Sequence, residues 1–297
     1  MQNGYPALLD WTDAVAAGAV AAGGKGWNLG RLHRYGFRVP RGGVIAAHVY
    51  DAVLSDPEIT SLVEEVAKLR LDAIGRDEVT AKLRRLRELI LEADFPAGFA
   101  DELHLFLSEH GLEHAFLAVR SSATAEDGER ASFAGIHESA LNVRGWDAIV
   151  QAIKRCYASL WTPRAVTYRR KVGIADAEVR CAVVLCEMVG EEGPEGVLPV
   201  SAGVAFSCDP RTGERDRVTI SEVQGLGEAL VSGAANPEEL TVSIAPESEY
   251  RVIERRSPAG AILSEAAAIE LTRDVVRVTW ALGDGQDPQD IEWVYDG

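Results

Sequence analysis

Phe116-Leu117-Ala118-Val119-Arg120-Ser121-Ser122-Ala123-Thr124-Ala125-Glu126-Asp127 begins as an apolar strand and finishes as a polar loop. The apolar run, Phe116 to Val119, stops abruptly at Arg120-Ser121-Ser122. An arginine leaving a buried strand beside several hydroxyls suits a dianionic, oxygen-rich group, because guanidinium offers planar, paired donors. Small residues continue through Ala131-Ser132-Phe133-Ala134-Gly135, a stretch able to cover a triphosphate with Phe133 shielding it from water. The competing reading is a polar surface loop in which Arg120 pairs with Glu126 or Asp127.

Upstream, Gly23-Gly24-Lys25-Gly26 directly precedes an apolar periodicity from Trp27 to Tyr35, so a glycine loop is expected to open a short helix. Glycines there let backbone N–H groups approach an anion, and a lysine in the loop reaches a phosphate as a point charge. The phosphate-loop pattern G-x-x-x-x-G-K-[ST] is absent, and a flexible turn with a solvated lysine is the alternative. Phe37 to Ala46 reads as a strand interrupted by Pro40. From about Ser55 to His110 the pattern is helical, with Leu83, Leu86, Leu89 and Ile90 at helical spacing; this is scaffold or cap.

Downstream, a strand through Asn142 and helices to about Lys171 precede Arg180 to Val189, whose continuous apolar run marks a buried strand. Glu191 to Val200, rich in glycine, proline and acid, reads as a lobe boundary or surface loop. Ala202–Phe206, Arg217–Val223 and Leu240–Ile244 read as strands, Ser264–Leu282 as an amphipathic helix and Ile291–Tyr295 as a last strand. Asp209-Pro210-Arg211-Thr212-Gly213 is a turn. Gly225-Leu226-Gly227-Glu228 opens a short helix, where Glu228 either faces a cleft or answers the helix dipole. Residues two apart on a strand share a face, so Asp290 and Glu292 form a carboxylate pair with Ile291 and Trp293 turned to the core. Such a pair can hold Mg²⁺, whose other ligands come from water and substrate phosphates; a solvated edge-strand face is the plainer reading. Strands and helices mix without strict alternation, which points to α+β lobes with a cleft between them.

Bulk properties narrow the function further. A net charge of −16 over 297 residues argues against a nucleic-acid partner. No apolar run reaches membrane-spanning length, and Met1 to Asp10 lacks the build of a signal peptide. A soluble, cytoplasmic protein is expected. The 4 cysteines, without a C-x-x-C pair, read as reduced core thiols and not as a zinc site. The 6 histidines read as structural, with His137 placed to line a cleft.

Gly24-Lys25-Gly26-x-Asn28-Leu29-Gly30, Val39-Pro40 and the block from Val119 to Asp127 are followed in order by Ser132-Phe133-Ala134-Gly135, Ser159-Leu160-Trp161 and Met188-Val189. Asp209-Pro210-x-Thr212-Gly213, Gly225-Leu226-Gly227-Glu228 and Asp290-Ile291-Glu292-Trp293 complete the series. Together they resemble the nucleotide-binding domain of the phosphoenolpyruvate synthase and pyruvate phosphate dikinase family, which rifampin phosphotransferases share. The resemblance covers almost the whole chain.

It implies an ATP-grasp fold, α+β in class and rich in α/β elements, with the nucleotide between two lobes. Residues 1–189 would form the first lobe, with the lysine loop and a helical insert, and 190–297 a second lobe that is C-terminally incomplete. Lys25 and Arg120 would hold phosphates and act in catalysis, with Gly135 in the loop above. Glu187, Met188 and Val189 would meet adenine, through backbone groups and the Met188 side chain, and Glu228 would line the nucleotide site. Asp290 and Glu292 would position Mg²⁺, and Glu292 the nucleotide as well. Departures from the family are Glu187, where lysine is frequent, a longer segment from Glu191 to Ser201, and the missing glutamine and arginine that follow the last strand.

The implied activity is transfer of the pyrophosphoryl group of ATP to a histidine on a separate swivelling domain. AMP leaves, one phosphate is released, and the remaining phosphoryl passes to an acceptor on a third domain. Those domains would lie in the same polyprotein chain or in a separate subunit. The alternative is a catalytically incomplete ATP-binding subunit that regulates or assembles with a partner. An ATP-grasp ligase, forming an acyl phosphate and ADP, fits the block from Val119 to Asp127 less well.

Overall fold

In the computed structural model, residues 4–70, 74, 76–124, 138–194, 196–231, 233, 235–244, 249–257 and 260–297 are described. Gly135, with Glu126, Asp127, Phe133 and His137, lies outside them. The chain divides into two compact units, Met1–Met188 and Val189–Gly297.

Cys181–Glu187 (β5) is the central strand of the first unit. Its run is continuously apolar because both faces are covered. Cys181, Val183 and Leu185 enter the larger core, while Ala182, Val184 and Cys186 enter a smaller one built with Trp11, Ala14, Ala21 and Ala22. The sheet runs β1 (Leu8–Leu9), β2 (Gly42–Ile45), β5, β3 (Leu117–Ala123) and β4 (Ser139–Val143), with every neighbouring pair antiparallel. Helices α1 (Trp11–Ala17) and α2 (Ala19–Arg34) supply the small-residue face. The larger core receives α3 (Ala47–Leu54), α4 (Pro57–Ala67), α5 (Asp77–Glu92), α6 (Phe99–Glu109), α7 (Trp146–Ser159) and α8 (Pro163–Lys171). Asp56 caps α4 by accepting from the Glu58 and Ile59 N–H groups, and Pro57 occupies the first turn, where a missing N–H is harmless.

Three local expectations are corrected. β3 continues past Val119: Arg120, Ser121 and Ser122 pair with Val184, Val183 and Ala182, so the ladder of β5 carries the hydroxyl residues onward. The expected strand from Phe37 shrinks to Gly42–Ile45. Pro40 has no N–H for a ladder, and its carbonyl instead accepts from the Trp11 indole at 3.1 Å. The glycines at 23–26 open a helical segment as expected, but only Gly23 precedes it; Gly24, Lys25 and Gly26 fall in its first turn. α2 begins at Ala19 and is interrupted at Gly23, whose φ of 67° and ψ of 171° are not helical.

The second unit is a fully antiparallel sheet in the order β11 (Arg251–Arg256), β10 (Glu238–Ser243), β9 (Arg217–Gln224), β8 (Ser201–Phe206) and β12 (Asp290–Tyr295). Helix α10 (Glu265–Gly283), capped by Ser264, lays Ala268 and Val275 on Ala205, Val218, Ile220, Leu240 and Val242. Where a lobe boundary or surface loop is expected, Glu191–Gly193 (β6) and Gly196–Leu198 (β7) pair as a hairpin. Among the described residues, no helix is long and apolar enough to cross a membrane.

Candidate functional site

Period-two alternation along β3 puts Ala118, Arg120 and Ser122 on the face that carries α1 and α2, with Ala118 in their small-residue core. The Ser122 side chain is fully buried. Its hydroxyl donates to the Ala22 carbonyl at 3.0 Å and accepts from the Gly26 N–H at 3.1 Å. These bonds bracket Lys25 and fasten its turn to the strand that bears Arg120. Glycine is required at two places here. A Cβ on Gly23 would lie 2.1 Å from the Ser122 carbonyl oxygen, and one on Gly26 2.7 Å from Val44 Cγ2. Lys25 itself is half-buried.

Two buried thiols register the cations. Burial pushes the Cys186 thiol up to about 12, against the opposing pull of Arg120. Burial also raises Cys156 to about 12, reinforced by Glu138 and opposed by Arg155 and Lys25.

At the far end of β5, the Glu187 carboxylate is gripped by Arg41, with Nε to Oε2 at 2.8 Å and Nη2 to Oε1 at 2.5 Å. The hydrogen bond and charge of Glu187 raise the Arg41 guanidinium further. The Glu187 N–H donates to the Arg41 carbonyl and the Met188 N–H to the Phe116 carbonyl, both at 2.8 Å. The backbone N–H groups of Glu187 and Met188 are therefore both taken up within the unit. Met188 packs against the same small-residue core as α2, on the Arg120 side of the sheet. Arg41 carries no sequence signal for this role.

In the second unit, β12 alternates in exposure. Ile291 and Trp293 pack against the core, while Asp290, Glu292 and Val294 are exposed on the opposite face. Asp290 lies opposite Phe206, and Glu292 opposite Val204. The segment leading into α9 (Glu228–Val231) covers that same face, because a Cβ on Gly227 would touch Ala202 at 3.5 Å. Glu228 is exposed. Among the described residues, no group of three or more acids, histidines or cysteines could hold a metal unaided. A pair on one face still fits Mg²⁺, which retains waters and takes oxygens from a phosphate ligand. Asp209 serves the turn: its Oδ1 accepts from the Arg211 N–H at 2.8 Å and the Thr212 N–H at 3.2 Å.

One buried feature of this unit escaped the sequence reading. Glu222 and Glu238 stand directly opposite each other on β9 and β10, both on the α10 side. Glu222 is 0 % exposed and Glu238 2 %. They accept from the Leu263 N–H at 3.2 Å and the Ile262 N–H at 2.8 Å, so they hold the chain entering α10. Burial, and then the neighbouring Glu238, raise the Glu222 carboxyl to about 7. An acid in phase with Ile220 was the available signal.

Comparison with known proteins gives a consistent picture. Residues 19–297 match the family described as pyruvate phosphate dikinase, AMP/ATP-binding domain. A rifampicin phosphotransferase of Streptomyces sp is 36 % identical over 310 residues, covering 97 % of this chain and 34 % of that protein. The phosphoenolpyruvate synthase of Pyrococcus furiosus is 30 % identical over 353 residues, covering 97 % of this chain and 42 % of that enzyme. A probable phosphoenolpyruvate synthase of Methanothermobacter thermautotrophicus is 37 % identical over 221 residues, 73 % of this chain and 31 % of that protein. The chain spans about a third of the length of the rifampicin phosphotransferases it matches.

Proposed function

The chain belongs to the family of the pyruvate phosphate dikinase AMP/ATP-binding domain, and we propose that it is the nucleotide-binding part of a dikinase-type phosphotransferase. In this reading, ATP sits between the two lobes of an ATP-grasp fold. Lys25 and Arg120 neutralise its phosphates, and the loop with Gly135 covers them. Met188 packs on adenine, the carbonyls of Glu187 and Met188 and the backbone of Val189 read its edge, and Glu228 lines the site. Asp290 and Glu292 hold Mg²⁺, which when bound supplies charge neutralisation at the phosphate oxygens.

The observation that supports the reading is that the turn carrying Lys25 is hydrogen-bonded to the strand carrying Arg120. Residues from two distant stretches are fastened to one face of one sheet by the buried Ser122 hydroxyl. Phosphoryl transfer asks chiefly for positioning and charge stabilisation, and a cation on a helical turn hydrogen-bonded to the strand that bears the other suits that need. A histidine on a separate swivelling domain takes the pyrophosphoryl group as the bond to the α-phosphate breaks and AMP departs. One phosphate is then released, and the other goes to an acceptor chosen by a further domain.

Titration calorimetry with ATP and Mg²⁺ tests this on the wild type, Lys25→Ala, Arg120→Ala and Glu292→Ala. Wild-type binding should weaken at least tenfold in each variant, about 1.4 kcal/mol. Full-strength binding in Lys25→Ala and Arg120→Ala would remove the site from this face, and a wild type that ignores ATP would end the proposal.

A further inference from the structure

In an unbroken α-helix the N–H of residue 26 donates to the carbonyl of residue 22. These are the two groups bonded to Ser122: its Oγ accepts from Gly26 at 3.1 Å and donates to Ala22 at 3.0 Å. The hydroxyl thus bridges the two helical segments that meet at Gly23, in place of the direct link that a continuous ladder would make. Insertion of a side chain is a known cause of a sharp helix break, and the break falls at Gly23, inside the spanned turn. A hydroxyl can do this because it is donor and acceptor at once. It fits only because position 23 has no side chain, since a Cβ there would lie 2.3 Å from Ser122 Oγ. Lys25 rides on the opened turn, and Arg120 lies two residues before Ser122 on the same strand face.

We infer that Ser122 is a positioning residue for the phosphate site, setting where Lys25 stands relative to Arg120. This rests on the nucleotide reading above. Without the hydroxyl, the ladder has two outcomes. Gly26 bonds Ala22 directly and Lys25 is carried to a different place, or a buried N–H and carbonyl lose their partner and the turn loosens. Either outcome spoils the grip on phosphate and leaves the contacts of the adenosine part untouched.

The test is calorimetric, with Mg²⁺-ATP and separately with adenosine, on the full chain. It uses the wild type, Ser122→Ala, Lys25→Ala and the double variant, each checked by thermal melting. Ser122→Ala should bind ATP about tenfold more weakly and adenosine as the wild type does. In the Lys25→Ala background, Ser122→Ala should add less than about twofold, because coupled groups are not additive. Ser122→Cys keeps the volume with a poor hydrogen-bonding atom. It should resemble Ser122→Ala, and it stands in if the alanine variant does not fold. Equal loss of ATP and adenosine, fully additive losses, or ATP binding as tight as wild type in Ser122→Ala and Ser122→Cys would each overturn the inference while leaving the function intact. A wild type that does not bind ATP overturns both.

Discussion

Each unit buries a cluster of charge, and the two clusters are balanced in opposite ways. In the first unit one acid stands between two bases. Asp176 pairs with Arg169, Nε to Oδ1 at 2.5 Å, and with Arg170, Nε to Oδ2 at 3.0 Å. Arg170 also donates to the carbonyls of Leu69 and Val66, both at 2.7 Å, tying the end of α8 to the end of α4. Burial would push the Asp176 carboxyl up, but hydrogen bonds and charge from Arg170 and Arg169 outweigh it and hold it below the usual range. In the second unit two acids stand side by side and one of them meets a base: Arg255 Nε lies 3.6 Å from Glu238 Oε1. Burial and the neighbouring Glu238 raise the Glu222 carboxyl to about 7, so the surplus acid there takes up its proton near neutral pH. A cluster with surplus cation is insensitive to pH near neutrality, whereas one with surplus acid titrates where cells live.

The largest expected effect lies in the first cluster. Asp176→Ala leaves the guanidinium of Arg169, a residue 1 % exposed, without its counter-ion and should cost about 3–5 kcal/mol. Denaturant titration of the first unit's tryptophan signal reads this directly. A loss under about 1 kcal/mol would break the contrast.

The pH response of the second cluster comes next. The folded carboxyl of Glu222 is raised to about 7 from an ordinary 4.5, so the folded state binds a proton that the unfolded chain has released between those values. The contribution of Glu222 to stability is therefore full below about pH 4.5, falls as pH rises to about 7, and is level above. The change is at most about 3 kcal/mol by linkage. Glu222→Gln should flatten that slope in urea titrations across pH 5 to 8, still accepting from the Leu263 N–H. A slope unchanged in Glu222→Gln would assign the proton elsewhere.

The same contrast of packed and open separates the Lys25 turn of the first unit from the Asp290 and Glu292 strand of the second. Gly23→Ala forces a Cβ against the Ser122 backbone at a φ of 67°, and should destabilise by about 1–3 kcal/mol. Glu292→Gln, on an exposed strand face, should shift stability by less than about 0.5 kcal/mol while abolishing the Mg²⁺ dependence of ATP binding. Melting curves for both variants rank the two regions.

How much was legible in the sequence follows from where each signal lives. β5, α10 and β12 were readable because their patterns are local: two covered faces give a continuous apolar run, and one covered face gives alternation or a helical stripe. The continuation of β3 was not, because Ser121 and Ser122 are strand residues only by virtue of β5, about sixty residues later in the sequence. β11 was missed since its residues, Arg251-Val252-Ile253-Glu254-Arg255-Arg256, are mostly exposed and Val252 is its one apolar residue packed against the core. The glycines at 23–26 were recognised as special, but their reason is a hydroxyl 96 and 100 residues away by hydrogen bond. The family resemblance, carried by ordered short blocks, survived these local errors because it depends on residue identity and not on element boundaries.

The central claim is a dikinase-type use of ATP, and the nucleotide product tests it most directly. The chain would be incubated with ATP, Mg²⁺ and a separately produced histidine domain from one of the longer relatives, and the products followed by phosphorus NMR. AMP together with a phosphorylated histidine is the predicted result, lost in Lys25→Ala and Arg120→Ala. ADP in place of AMP would contradict the account and move the chain to another class of ATP-dependent enzyme.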